Sequence, residues 1–299
     1  MIGYGSIGRR HADVLQEMGH VVAVVCRREI SHPQKYSTLD QALRDFAPEY
    51  VVIASRTIEH RDDLNQLAAS GFCGLVMIEK PVYDSGSEPV PNNFKRTKVA
   101  FNLRFHPALQ KFREIVGGRN VHAVTAYVGS YLPDWRPDTD YRKSYSALQN
   151  LGGGVLRDLS HELDYLMWIF GPWQKLTALG GHFSALEIDS DDVFSVLFQT
   201  EQAASVSLNI NYLDTTTRRE IIALTASGTV RLDMVAGTVE TTVETHEFSV
   251  ARNDTYHAQH KAMIDGDEKL ICDLTEGLGV MGMIDAAEIA SSQGIWVHA

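Results

Sequence analysis

The chain has 299 residues, 44% hydrophobic and 22% charged, with a formal net charge of -11 and a sequence pI of about 5.5. That length suits two domains, and the composition excludes disordered, collagenous and coiled-coil chains. So acidic a surface repels phosphate backbones and anionic membranes, which argues against nucleic-acid and membrane partners.

Only Met1 and Ile2 precede the first glycine. A Rossmann sheet has a central strand of about 5–6 residues there, so a truncated first strand is expected. Gly3-Tyr4-Gly5-Ser6-Ile7-Gly8 then forms a GxGxxG. A helix is expected over 6–18 and a strand over 21–26 (VVAVVC), the context that a dinucleotide fingerprint requires. In that reading Gly3 makes the turn, Gly5 lets the backbone approach a pyrophosphate, and Gly8 lets helix and strand pack closely. Ser6 and Ile7 open the helix whose amides and positive dipole end face the anion. The plain alternative is an ordinary βα turn.

An NAD site carries an acid at the end of the second strand, but here Cys26-Arg27-Arg28 stands there. Two guanidinium groups suit a 2′-phosphate better than a diol, so NADP(H) is favoured and NAD(H) remains possible. The plain alternative is that Arg27 and Arg28 decorate an exposed loop.

Further apolar runs at 50–55 (YVVIAS) and 74–78 (GLVMI), with a helix over 58–70 between them, suit parallel strands covered on both faces. Residues 1–102 therefore read as a Rossmann domain with a doubly wound parallel sheet. After that the pattern changes. Residues 204–212 and 229–234 alternate as strands buried on one face, with Ser227-Gly228 as a hairpin turn, and 155–170, 255–265 and 274–290 read as helices. Residues 103–299 read as an α+β domain on a largely antiparallel open sheet. Cys26, Cys73 and Cys272 lie far apart with no CxxC, no apolar run approaches the roughly 18 residues of a membrane span, and no signal pattern opens the chain. A cytoplasmic protein is expected, and no metal site is read.

Glu79-Lys80-Pro81 closes the 74–78 strand at the carboxyl edge, where open α/β sheets bind ligands. Gly152-Gly153-Gly154 leads into the 155–170 helix, on which Asp158, His161 and Asp164 are spaced three apart and neighbours share a face. A hydroxyl oxidised by hydride loss must also lose its proton. Imidazole titrates near neutrality and is the natural acceptor, and a lysine ammonium beside the oxygen steadies the alkoxide. Taken singly, His161 reads as a satisfied structural histidine and Lys80 as a solvated surface lysine.

GYGSIGRRH, the strand ending EKP, Asn102-Leu103-Arg104-Phe105-His106-Pro107 and GGGVLRDLSHELD together resemble, in order and spacing, the Gfo/Idh/MocA family. That family includes glucose–fructose oxidoreductase and inositol dehydrogenases. The resemblance covers nearly the whole chain. It implies that Lys80 and His161 form the catalytic pair with Asp158 beside them, and that oligomers form through the second sheet. It also implies that Thr57 and His60 lie at the cofactor; Ser55, Glu79 and Lys80 are further candidates there, and Arg104 is a candidate at the substrate. Family members commonly carry an aspartate four residues before the histidine, where this chain has Arg157.

The expected function is an NAD(P)-dependent oxidoreductase of a sugar, sugar acid, nucleotide sugar or cyclitol. A non-catalytic dinucleotide sensor and a redox-neutral enzyme using transient oxidation are the alternatives; retention of Lys80 and His161 favours the enzyme. Residues 131–145, aromatic and aperiodic, read as a substrate loop. Trp135 and Tyr141 offer faces to a sugar ring, and Arg136 and Arg142 suit an anionic group, unless Asp134, Asp138 and Asp140 take up those cations. The loop loosely resembles relatives linked to bacterial surface-sugar synthesis. The polar face Ser205, Ser207, Asn209 and Asn211 suits a subunit interface, giving a homodimer or homotetramer.

Overall fold

A computed structural model describes residues 1–86 and 93–299. The chain divides into two compact units, Met1–Phe105 with Arg252–Met281, and His106–Ala251 with Gly282–Ala299. The first crossing falls three residues after the expected boundary at 102. The return of 252–281 to the first unit has no signature in local sequence.

In the first unit β3 (Tyr50–Ile53), β4 (Leu75–Ile78) and β5 (Arg96–Val99) pair in parallel, with Ile53 opposite Ile78 and Ile78 opposite Val99. Val51, Ile53, Met77 and Ile78 are buried, as expected for strands covered on both faces. A second parallel pair, β1 (Val24–Val25) and β2 (Lys35–Tyr36), joins this sheet through Met1 and Ile2. The Ile2 amide donates to the Val52 carbonyl and the Ala54 amide to the Ile2 carbonyl, both at 2.8 Å, while Val25 donates to Met1. The central place in the sheet is thus held by these two residues. The 21–26 run is shorter as a strand than its composition suggests, and Val21 is 74% exposed.

Helices α1 (Ser6–Glu17), α2 (Leu39–Asp45) and α3 (His60–Ala69) connect the strands. One face of α1 is buried through Gly8, His11, Ala12 and Leu15, a helical spacing. The Thr38 hydroxyl caps α2 by accepting from the Gln41 amide. From the later chain, α7 (Asp254–Asp265) packs on α1, and β14 (Cys272–Asp273) adds an antiparallel edge strand to β5. Such an edge on a parallel sheet is common.

The second unit is built on a nine-stranded sheet. Its strands are β6 (Val121–Gly129), β7 (Trp173–Gly181), β8 (Val193–Thr200), β9 (Val206–Asn211), β10 (Arg218–Thr225), β11 (Gly228–Asp233), β12 (Thr238–Glu240), β13 (Thr245–Glu247) and β15 (Val297–His298). Their order is β13-β12-β11-β10-β6-β9-β8-β7-β15, antiparallel throughout except for the β6–β9 pair. Alternation holds. Val206, Leu208 and Ile210 are buried, while Ser207 is exposed and Asn209 donates to Ser195 on the other face at 2.9 Å. Burying each such aliphatic side chain stabilises the unit by roughly 1.5–3 kcal/mol. Thr225 pairs with Gly228 across the β10–β11 hairpin, where Gly228 has φ +115°.

Helix α4 (Pro107–Val116) lies against β11 and β12. The helix expected over 155–170 is two helices, α5 (Val155–Asp158) and α6 (His161–Phe170), separated at Leu159 and Ser160. Asp158 therefore ends one helix and His161 begins the next, so the shared-face expectation does not hold for that pair. The last helix, α8 (Leu274–Gln293), runs along the chain through the boundary at 281 and 282. Among the described residues no helix is long and apolar enough to cross a membrane.

Candidate functional site

The glycine loop of the first unit shows why three glycines are spaced as they are. Gly3 has φ +86°, and a Cβ there would lie 2.5 Å from the Ala54 carbonyl oxygen and the Ser55 nitrogen. At Gly8 a Cβ would lie 2.5 Å from the Gly3 carbonyl oxygen. Gly5 differs: a Cβ there would meet nothing within 4 Å, so its outer side faces open space. Gly5 is also the N-cap of α1, with no side-chain cap and no acid in the first turn. Ser6 and Ile7 follow with their side chains at least partly exposed. Uncapped amides beside an open backbone surface fit a pyrophosphate.

The two arginines lie at the rim of this loop. Arg28 donates to the Tyr4 carbonyl at 2.7 Å, inside the glycine motif. Arg27 is 84% exposed and donates to Glu59 at 2.9 Å. Past β3, the Ser55 hydroxyl donates to Asp63 at 2.5 Å and Thr57 is buried. His60 is buried, and burial lowers its pKa against the opposing influence of Glu79. A neutral His60 donates from Nδ1 to the Pro81 and Val82 carbonyls at 3.1 and 3.2 Å. The turn after β4 is thereby anchored.

Glu79 anchors the same turn from within. Its Oε2 accepts from the Lys80 amide at 3.0 Å and its Oε1 from His11 at 2.6 Å. Burial opposes ionisation of Glu79, but the His11 hydrogen bond and charge, with Lys80, hold its carboxyl below the usual range. Lys80 is half-buried at the carboxyl end of β4. Arg104, expected at the substrate, is buried and donates to Glu276 at 2.9 Å.

In the second unit Asp158 is buried and accepts from the Tyr212 hydroxyl at 2.7 Å. Tyr145 turns its hydroxyl to the same carboxylate, and burial followed by the Asp158 charge raises its pKa well above the usual value, while the residue as a whole is 37% exposed. Trp135 meets the Tyr212 ring edge-on at 5.2 Å, and the Arg136 guanidinium lies 5.9 Å from the Tyr145 ring. His161 follows as the first residue of α6, and Glu162 behind it is buried and accepts from Arg219 at 2.7 Å. Asp158, Tyr145, Tyr212, Trp135 and Arg136 are linked by these contacts.

Arg142 is drawn elsewhere. It donates to Asp140 at 2.8 and 3.1 Å and to Glu187 at 3.1 Å, and Tyr141 accepts from the Glu187 amide. Arg157, where the family commonly has aspartate, pairs with Glu288. Asp191 accepts from the Leu156 amide at 3.0 Å, and burial pushes its carboxyl up to about 6. Sequence reading missed Tyr212, Asp191, Glu187 and Glu288, because each partner lies 35 residues or more away.

The comparisons with known proteins bear on the family and the fold. Residues 1–90 match the model of the oxidoreductase family with an NAD-binding Rossmann fold, and residues 109–231 match the GFO/IDH/MocA C-terminal domain. An uncharacterized oxidoreductase of Synechocystis sp. is 29% identical over 150 residues, which is 48% of this chain and 40% of that relative. The match thus spans less than half of the curated relative's length. Among solved structures, GenD2 from gentamicin A biosynthesis, in complex with NAD, has a TM-score of 0.82 at 22% identity, over 100% of this chain and 95% of that one. The WlbA dehydrogenase from Bordetella pertussis, in complex with NADH and UDP-GlcNAcA, has a TM-score of 0.77 at 18% identity, over 100% of this chain and 96% of that one. At these identities the structural likeness establishes the fold. Both domain models, matched in order along one chain whose units carry those folds, place the protein in the GFO/IDH/MocA family of oxidoreductases, with an NAD-binding Rossmann fold at its N-terminus.

Proposed function

We propose that the protein is an NAD(P)-dependent dehydrogenase or reductase acting on a CH–OH group of a sugar, sugar acid, nucleotide sugar or cyclitol. The observation that carries this reading is the EKP turn. Glu79 and His60 clamp it from both sides, so Lys80 is presented at the carboxyl edge of the same sheet that carries the glycine loop. The nicotinamide, when bound, accepts or supplies the hydride. His161 takes the hydroxyl proton, Lys80 steadies the oxygen that loses it, and Asp158 is held in its site by Tyr212. A panel of sugars, sugar acids and cyclitols, followed by the absorbance of reduced nicotinamide, tests the reading. Net reduction with at least one of them is expected; cofactor bound but never reduced favours a sensor or a redox-neutral enzyme.

The cofactor choice follows from Arg27 and Arg28. Arg28 is tethered to the glycine loop and Arg27 is exposed beside it, so both reach a 2′-phosphate once Arg27 exchanges Glu59 for it. Two charge-assisted contacts contribute roughly 2–4 kcal/mol after desolvation. Fluorescence titration is expected to show tighter binding of NADPH than NADH; equal affinity, or a preference for NADH, ends this proposal.

The substrate is proposed to be anionic, with Arg136 as its contact. Among the described residues Arg136 forms no ion pair, whereas Arg142 is shared between Asp140 and Glu187. The WlbA dehydrogenase, whose solved structure is a complex with NADH and UDP-GlcNAcA, supports this class. Arg136→Gln is expected to raise KM for a charged sugar about tenfold with cofactor affinity intact, and Arg142→Gln to change it less. A neutral sugar turned over more efficiently than every charged analogue contradicts the proposal. Association through the polar face of β9 into a homodimer or homotetramer completes the reading, and a monomer mass by light scattering at micromolar concentration would end it.

A further inference from the structure

Four side chains from distant parts of the sequence meet in a buried chain beneath the EKP turn of the first unit. Tyr50 begins β3, His11 lies on the inner face of α1, His260 on α7, and Glu79 follows β4. The Tyr50 hydroxyl stands 2.8 Å from His260 Nδ1, and His260 Nε2 stands 2.8 Å from His11 Nδ1. His11 Nε2 is 2.6 Å from Glu79 Oε1, and Glu79 Oε2 accepts the Lys80 amide at 3.0 Å. His11, His260 and Glu79 are all buried. The two imidazoles meet edge-on at 4.9 Å, and Tyr256 closes the other side of His11 at 5.3 Å.

Chemistry fixes the direction of the last hydrogen bond and allows two orders for the others. Glu79 is held ionised and can only accept, so His11 donates from Nε2. Burial, then the charges of His11, His257 and His20, lowers the pKa of His260 well below its usual value, so it is neutral with a single N–H. If Tyr50 donates to His260, His260 donates from Nε2 to a neutral His11. If Tyr50 donates instead to Met77 Sδ, 3.3 Å away, His260 donates from Nδ1 to the phenol oxygen and accepts from a charged His11. In both orders His11 keeps its Nε2 proton and donates it to the Glu79 carboxylate. The nearby His257 is occupied by Glu17 at 2.8 Å on the outer side of α7. What the four groups have in common is the carboxylate that pins the Lys80 backbone.

We propose that His11, backed by His260 and Tyr50, is a positioning residue for Lys80. It keeps Glu79 ionised and oriented, and Glu79 sets both the backbone and the local field of Lys80. The functional meaning rests on the reading of Lys80 as the catalytic lysine, but the coupling itself does not. The protein is reductively methylated with ¹³C, and the Lys80 methyl signal is assigned by its absence in Lys80→Arg. In His11→Leu that signal is expected to leave its wild-type position by more than its linewidth. In His11→Gln, whose amide can still donate to Glu79 and accept from His260, it is expected to return. Tyr50→Phe, at the half-buried end, serves if His11→Leu does not fold: the ¹⁵N ring signals of His260 and of His11 are both expected to move. An unmoved Lys80 signal in folded His11→Leu, or unmoved His11 ring signals in Tyr50→Phe, overturns the proposal. Should Lys80→Met remain active, Lys80 loses its catalytic assignment while the methyl shift in His11→Leu still stands.

Discussion

Lys80→Met and His161→Asn are each expected to lower turnover by about 10²-fold or more while dinucleotide affinity changes by less than about threefold. Methionine keeps the length of Lys80 and removes only the ammonium, so the clamp made by Glu79 and His60 on the turn is left in place. Asparagine at position 161 removes the imidazole at the start of α6 without disturbing Glu162, whose bond to Arg219 holds that end of the helix. In the proposed roles of Lys80 and His161, both substitutions delete charge management at the reacting oxygen, an effect felt in the transition state more than in binding. Steady-state kinetics with a parallel fluorescence titration separates the two. Near-normal turnover in His161→Asn makes His161 structural and places the base elsewhere.

Two alanine substitutions in the glycine loop are expected to give opposite outcomes. Gly8→Ala drives a methyl to 2.5 Å from the Gly3 carbonyl oxygen, where only backbone can move. Overpacking of this kind costs about 1–3 kcal/mol, so thermal unfolding is expected to fall by several degrees, and binding with it. Gly5→Ala meets nothing within 4 Å, and its N-cap backbone at φ -79° is open to alanine, so stability is expected to hold. The methyl then occupies the surface that a pyrophosphate approaches, and dinucleotide affinity is expected to fall about tenfold or more. If Gly5→Ala binds NADH and NADPH as tightly as the wild type, the pyrophosphate does not lie on this loop.

Much of the fold was legible because two signals were strong. The apolar runs at 50–55 and 74–78 and the alternation over 206–210 are patterns of burial, and the structure buries them accordingly. β5 was invisible because Arg96 and Lys98 interrupt it; both are neutralised by Glu268, 170 or more residues away. The break between α5 and α6 has no local mark, since Leu159 and Ser160 are compatible with a helix. The glycine loop, the EKP turn and His161 were found from spacing and resemblance. Their supports were not: Tyr212 reaches Asp158 across 54 residues, and His260 reaches His11 across 249. His11 alone left a trace, at helical spacing with Gly8, Ala12 and Leu15 on the buried face of α1. Arg142 looked as free as Arg136 until the structure brought Glu187 beside it.

Hydride transfer is read most directly by isotope. The best substrate of the sugar panel, carrying deuterium on its carbinol carbon, is incubated with the protein and oxidised dinucleotide. Mass spectrometry of the recovered dinucleotide is expected to find the reduced form carrying that deuterium in the nicotinamide ring. Dinucleotide that stays oxidised while the sugar is converted, or that is reduced without the label, contradicts hydride transfer from a sugar carbon.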